Sequence, residues 1–152
     1  MLPDILKPTE NACLNTSDDH APLILVVEDH EDTRSLYRFV LESRNFLVAI
    51  AVDGEQAVKL AKEKKPHLIL MDTNLPGMDG VMAAREIREF DGDGHIPIIF
   101  VSGDAQPELK LKAIKAGGDE YLVKPINLDD LNKAIERQLE LRSRNRSDIV
   151  GN

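Results

Sequence analysis

Five residues of the chain have the types and positions to act on one group: the acidic pair Glu28-Asp29, then Asp72, Ser102 and Lys124. Each follows directly on a short apolar run. Leu23-Ile24-Leu25-Val26-Val27 ends in Glu28-Asp29, and His67-Leu68-Ile69-Leu70-Met71 ends in Asp72. Ile98-Ile99-Phe100-Val101 ends in Ser102, and Tyr121-Leu122-Val123 ends in Lys124-Pro125. Continuous apolar runs of this length read as strands buried on both faces. In one parallel sheet, their carboxyl ends would bring three carboxylates, a hydroxyl and an ammonium to a single edge. Two like charges 4 Å apart repel by about 4 kcal/mol at an effective dielectric of 20, so such a site calls for a cation. All-oxygen ligands with open positions suit Mg²⁺, which commonly binds through one or two carboxylates and a phosphate. The chemistry indicated is a Mg²⁺ site that handles a phosphoryl group. The candidate covalent acceptor is a carboxylate, with Lys124 and Ser102 placed to hold phosphoryl oxygens.

The elements that must position these groups alternate along the chain. Thr33, Leu36, Tyr37, Val40 and Leu41 recur at helical spacing after the first run. Phe46 to Ala51 reads as a second strand, and Asp53-Gly54 opens a helix carrying Ala57, Leu60 and Ala61. Gly80, Ala83, Ala84 and Ile87 mark a third helix. Leu109, Ala113 and Ala116 mark a fourth, stopped by Gly117-Gly118. Leu128, Leu131, Ile135 and Leu139 mark the last. Repeated βα units without a hairpin signal predict an α/β fold, a doubly wound five-stranded parallel sheet with helices on both faces. Ligands of such sheets bind beyond the carboxyl ends of the strands, where the five residues fall.

The 152 residues suit one domain, expected over 21–140, with polar flexible tails at 1–20 and 141–152. A net charge of -8 argues against direct nucleic-acid binding. No apolar run approaches the roughly 20 residues needed to span a bilayer, so no membrane association is expected. Met1-Leu2-Pro3-Asp4 lacks the basic and apolar regions of a secretory signal. The single cysteine, Cys13, excludes an intrachain disulfide, and a cytoplasmic location is the expectation. Asp91-Gly92-Asp93-Gly94 lacks the rest of a calcium loop and reads as a turn. His67 and His95 read as caps at strand starts, and His30 as a solvated neighbour of the acidic pair.

These residues and their order resemble the receiver domain of two-component response regulators, of the stand-alone single-domain type, over about residues 22–140. Met71-Asp72-Thr73-Asn74-Leu75-Pro76-Gly77-Met78-Asp79-Gly80 is similar to the family's phosphoacceptor loop almost throughout. Ser102 takes the switch Ser/Thr position, Tyr121 the switch aromatic position, and Lys124-Pro125 the lysine–proline pair. The resemblance implies a flavodoxin-like sheet with strand order 2-1-3-4-5. It implies Asp72 as phosphoacceptor from a sensor histidine kinase or a histidine phosphotransfer protein. Asp29, Asp72 and the Asn74 backbone carbonyl would bind Mg²⁺ directly and Glu28 through water. Lys124 would pair with a phosphoryl oxygen and precede a cis-proline, Pro125. Ser102 would move to the phosphoryl group and Tyr121 turn inward behind it. Asn74 and Asp104 would flank the path of the hydrolytic water and tune dephosphorylation. Gly118, where alanine is usual, implies a looser turn before the last strand. Ala134 would stand where a dimer-face arginine occurs in winged-helix regulators.

No output domain follows the last helix in this reading. The output would be a surface of helix 4, strand 5 and helix 5 recognised by an unknown output protein. The protein would catalyse only its own phosphoryl transfer and self-dephosphorylation. A Mg²⁺-dependent aspartyl-phosphate hydrolase is the rival from another class, but those enzymes carry a DxD nucleophile after the first strand. Asp72 follows the third strand, with Asn74 in place of the second acid. A pseudo-receiver is disfavoured because no site residue is missing. A flavodoxin-type carrier is disfavoured by the acidic edge.

Overall fold

The computed structural model describes residues 21–91 and 95–151, the last seven by backbone alone. Five strands, β1 (Leu23–Val27), β2 (Leu47–Ala51), β3 (Leu68–Asp72), β4 (Ile98–Ser102) and β5 (Glu120–Val123), form one sheet. Its order is β2-β1-β3-β4-β5. Every pairing is parallel. The helices are α1 (Glu31–Ser43), α2 (Gly54–Lys64), α3 (Gly80–Asp91), α4 (Pro107–Lys115) and α5 (Leu128–Gly151). The predicted doubly wound α/β sheet is therefore the observed one. The tail expected at 1–20 and the turn read at Asp91-Gly92-Asp93-Gly94 fall wholly or partly outside the described residues.

Alternation along each strand fills two cores, which is why the strands read as unbroken apolar runs. Leu25, Val27, Ile69, Met71, Ile98 and Phe100 pack with Ala57 and Ala61 of α2 and Ala83, Ala84 and Ile87 of α3. Ile24, Val26, Leu68, Leu70, Ile99 and Val101 pack with Tyr37 and Leu41 of α1 and Leu131, Ala134 and Ile135 of α5. The helix residues against the first core are mostly alanines, so α2 and α3 lie close to the sheet. Asp53 caps α2: its carboxylate accepts the Gln56 N–H at 2.8 Å, and Gln56 Oε1 accepts the Val52 N–H at 2.7 Å. His67 caps the start of β1 as expected, Nδ1 accepting the Leu23 N–H at 3.0 Å.

Four expectations are corrected. The apolar stripe of α1 is narrower than its sequence spacing, because Tyr37 and Leu41 are buried while Leu36 is 47% exposed. The last helix continues past residue 140 to Gly151, through helix-favouring Glu, Leu and Arg and a Glu140–Arg144 pair one turn apart. Ala134 is fully buried against the sheet, so it does not mark a surface position at all. Gly118 does not loosen its turn. A Cβ there would lie 2.5 Å from Cε2 of the buried Phe100 ring and 3.0 Å from the Ala113 carbonyl oxygen. The Phe100 ring occupies that space and meets Tyr121 with ring centroids 6.5 Å apart.

Gly118→Ala is therefore expected to destabilise the fold by about 1–3 kcal/mol through overpacking, measured by urea denaturation. Phe100→Leu in the same chain should recover part of that loss, because the two positions share one space.

Candidate functional site

The sheet register sets the depth of each group at the carboxyl edge. Val27 pairs with Met71, Asp72 with Val101, and Ser102 with Val123. Glu28 and Lys124 therefore stand one residue beyond the last strand residues, next to Asp72. The Glu28 N–H still bonds the Ala51 carbonyl at 3.1 Å, and the Lys124 N–H the Ser102 carbonyl at 2.7 Å. Gly80 brings α3 onto the same edge. Its N–H donates to the Thr73 carbonyl at 3.1 Å, and a Cβ there would lie 2.1 Å from the Asp72 carbonyl oxygen. The approach requires glycine.

All five groups identified in the sequence converge. Glu28 and Asp72 are buried, at 1% and 5% exposure. Lys124 Nζ lies 3.3 Å from Asp72 Oδ2 and 3.4 Å from Glu28 Oε1. Asp72 Oδ1 accepts the Asn74 N–H at 3.0 Å. Ser102 lies on the same edge, but its Oγ bonds Thr73 and the Asp104 N–H rather than Asp72. Tyr121 is already buried, and its hydroxyl donates to the Asp104 carbonyl at 2.7 Å. Its inward position thus coexists with a Ser102 hydroxyl that is bonded elsewhere. The Lys124–Pro125 peptide is cis. Asp104 is half-buried, and its Oδ1 accepts the Gln106 N–H at 2.8 Å.

Three contributors were missed or undervalued in the sequence. His30 is exposed, as read, but its Nδ1 lies 3.0 Å from Glu28 Oε2 and 3.2 Å from Asp29 Oδ1. Its N–H also donates to Glu28 Oε2 at 3.2 Å. Arg34, one turn into α1, donates to the carbonyls of Glu28 at 3.2 Å and Asp29 at 3.1 Å, which pins the loop. Thr73 bonds Ser102 through its hydroxyl. No spacing rule marks any of the three; adjacency to an acidic strand end is the one signal His30 and Thr73 carry.

Burial pushes the Asp72 carboxyl above the usual range, opposed by the Asn74 N–H, raised again by the Glu28 charge, and opposed by Lys124. Burial acts on Glu28 in the same direction but is outweighed by hydrogen bonds from His30 and by Lys124, so its carboxyl lies below the usual range. The bond to Glu28, with the Asp29 charge beside it, holds His30 above its ordinary value. Burial lowers the Lys124 ammonium, but the charges of Asp72 and Glu28 more than reverse this. One carboxylate of the site is thus well compensated, and Asp72 is not.

The donor set fits a hard divalent cation. Asp29 Oδ1 is buried and accepts no well-formed hydrogen bond, although the exposed His30 ring lies 3.2 Å away. One ligand atom each from Glu28, Asp29 and His30 lie within 4.8 Å of one another. Such an orphaned carboxylate oxygen beside two further acids is where a cation would gain most.

Comparison with known proteins agrees with this geometry. The model of the response regulator receiver domain family matches residues 24–136. The chain belongs to that family. It is 39% identical over 115 residues to the chemotaxis protein CheY of Halobacterium salinarum, covering 76% of this chain and 94% of that protein. It is 34% identical over 122 residues to the transcriptional regulatory protein PrrA of Mycobacterium tuberculosis, covering 80% of this chain and 52% of PrrA. The chain thus spans about half the length of PrrA, and 26% of the regulatory protein AtoC of Escherichia coli. A CheY-like receiver domain from Methanospirillum hungatei superposes with a TM-score of 0.78 at 26% identity, covering 82% of this chain and 98% of that one. The receiver domain of the Pseudomonas aeruginosa sensor histidine kinase PA1611 superposes with a TM-score of 0.73 at 32% identity, covering 79% and 98%. That structure has a magnesium ion coordinated in its active-site cleft.

A raised Asp72 means that the native state holds this proton more readily than the unfolded chain does. Its charge therefore costs stability at neutral pH, and the cost disappears as pH falls through the raised value into the ordinary carboxylate range. In EDTA, Asp72→Asn should raise the melting temperature at pH 7, with the gain vanishing toward pH 4. A constant gain across that range, or a loss at pH 7, would contradict the charge assignment.

Proposed function

We propose that the protein is a phosphorylation-dependent switch in which Asp72 accepts a phosphoryl group from a phosphohistidine donor in a Mg²⁺-dependent step. The supporting observation is the placement of Asp72: buried, under-compensated, and 3.3 Å from Lys124 Nζ. The donor is a sensor histidine kinase or a histidine phosphotransfer protein. Asp29, Asp72 and the Asn74 carbonyl would hold the ion, with Glu28 acting through water. When bound, Mg²⁺ neutralises charge on the acids and on the phosphoryl oxygens. An Asp72 oxygen attacks phosphorus, the P–N bond to the donor imidazole breaks, and its electron pair stays on the imidazole nitrogen, which is then protonated. Lys124 holds a phosphoryl oxygen throughout, so positioning and charge supply most of the catalysis.

Ser102 then moves to a phosphoryl oxygen. Its loop carries the Asp104 carbonyl that Tyr121 holds, so the movement reaches β5 and α4. Leu111 and Ile114 of α4 and Val123 of β5 are exposed there, at 55%, 39% and 42%. That apolar face, with α5, would bind the output protein. The match to CheY of Halobacterium salinarum, over 94% of that protein, supports a switch whose signal is a changed receiver surface. Among the described residues no helix is long and apolar enough to cross a membrane. The chain transfers phosphate onto itself and hydrolyses it, without turnover on external substrates. Cytoplasm, where phosphohistidine donors and Mg²⁺ are at hand, is the compartment this role requires.

Intact-mass measurement after incubation with acetyl phosphate and Mg²⁺ should show one added phosphoryl group. The addition should be lost in Asp72→Asn and in EDTA. Steady turnover of a phosphate monoester would favour the hydrolase instead.

The lifetime of the modified form should be short. Asn74 is exposed and polar, and Asp104 keeps one carboxylate oxygen free of the Gln106 bond for a water. Asn74→Met with Asp104→Leu should lengthen the lifetime, on the order of tenfold for each 1.4 kcal/mol of lost transition-state stabilisation. Decay of the double variant at the wild-type rate, followed by phosphate release, would refute this tuning role.

A further inference from the structure

Thr73 follows Asp72 directly, and the phosphoryl chemistry gives it no task. It is nonetheless 6% exposed, and its hydroxyl donates to Ser102 Oγ at 2.7 Å. Ser102, 1% exposed, also accepts the Asp104 N–H at 3.0 Å. A serine hydroxyl has two acceptor positions and one proton to give. Thr73 and Asp104 fill both acceptor positions.

The direction of this pairing follows from strand alternation. Met71 and Phe100 face the core under α2 and α3, and Thr73 and Ser102 continue that alternation by two residues. Asp72 continues the alternation of Leu70, which faces the opposite core. The hydroxyl that must reach the phosphoryl group is thus bonded to the neighbour of the phosphoacceptor, on the other side of the strand. Asp104 joins this pair to Tyr121 through its own peptide: its N–H meets Ser102, and its carbonyl accepts the Tyr121 hydroxyl at 2.7 Å.

We propose that Thr73 is a positioning residue whose hydroxyl holds Ser102 Oγ away from the phosphoryl site, so that the movement by which Ser102 gives its own proton to a phosphoryl oxygen breaks the bond from Thr73. The inference rests on Asp72 as phosphoacceptor. A hydrogen bond to a charged phosphoryl oxygen is roughly twice as strong as one between neutral hydroxyls, so the exchange is favourable. It is less favourable than it would be from an unbonded Ser102. Thr73 thereby sets how strongly the phosphoryl group must pull before the Ser102–Asp104–Tyr121 chain responds.

Beryllofluoride with Mg²⁺ mimics the phosphoryl group, and NMR shifts of Tyr121 and Ser102 report its binding. Thr73→Val keeps the β-branched shape and removes the hydroxyl. It should bind beryllofluoride about three- to tenfold more tightly than wild type, the range of one neutral hydrogen bond. Thr73→Ser keeps the hydroxyl and should match wild type. In a Ser102→Ala background, Thr73→Val should leave the affinity unchanged, which a merely structural effect would not do. Equal or weaker binding by Thr73→Val, a Thr73→Ser variant that behaves like it, or the same gain without Ser102 would each overturn the proposal. A wild-type protein with no response to beryllofluoride and Mg²⁺ would overturn the phosphoacceptor reading itself, and the role of Thr73 with it.

Discussion

Lys124 shares one ammonium between two buried carboxylates, Asp72 at 3.3 Å and Glu28 at 3.4 Å. The remainder of the site follows from that imbalance. Glu28 also draws on the His30 side chain and N–H, so its charge is well supported. Asp72 has the Asn74 N–H and its share of Lys124, and burial outweighs both. A carboxylate held in this state is more basic than an ordinary aspartate, a property that a nucleophile toward phosphorus would need. Asp29 adds a buried oxygen that no well-formed hydrogen bond satisfies, beside the exposed His30 ring. The cluster is thus arranged to gain from a cation and from the phosphoryl oxygens that would come with it.

Such an arrangement costs stability, and the fold supplies it elsewhere. Thirteen apolar sheet residues in two cores are 2% exposed or less, among them Ile24, Leu70, Ile99 and Phe100. The acids stand at the strand ends, Asp72 as the last residue of β3 and Glu28 just past β1, where apolar packing gives way to loops. Arg34 holds the β1–α1 loop by its carbonyls, and Gly80 lets α3 press on the end of β3. The strands therefore aim the groups of the site, while Asp104, in the loop after β4, joins Ser102 to Tyr121 through its own peptide. This division matches where strain and function concentrate in proteins generally.

The architecture was legible because parallel strands buried on both faces leave unbroken apolar runs, and because α2 and α3 write their buried faces in alanines. Glu28, Asp29, Asp72, Ser102 and Lys124 were legible for the same reason: each ends such a run. What escaped depends on shape rather than on pattern. Leu36 fits the helical spacing of α1, yet it is 47% exposed while Tyr37 and Leu41 face the core. The resemblance matched Ala134 to a dimer-face position, but the residue is fully buried against the sheet. Gly118 reads as a flexible turn residue, whereas the Phe100 ring fills the space its side chain would take. Thr73 looks like filler between an acid and an amide, and only the register turns its hydroxyl to Ser102.

Asp72 as the seat of the phosphoryl group can be tested at the level of the single residue. Borohydride reduces an acyl phosphate to an alcohol and leaves free carboxylates untouched. Protein phosphorylated in the presence of Mg²⁺, reduced in this way and sequenced by tandem mass spectrometry, should carry homoserine at position 72 and an unmodified side chain at every other acid. Reduction product at Glu28, Asp29 or Asp104, or a phosphorylated protein with no reduced acid at all, would contradict the account.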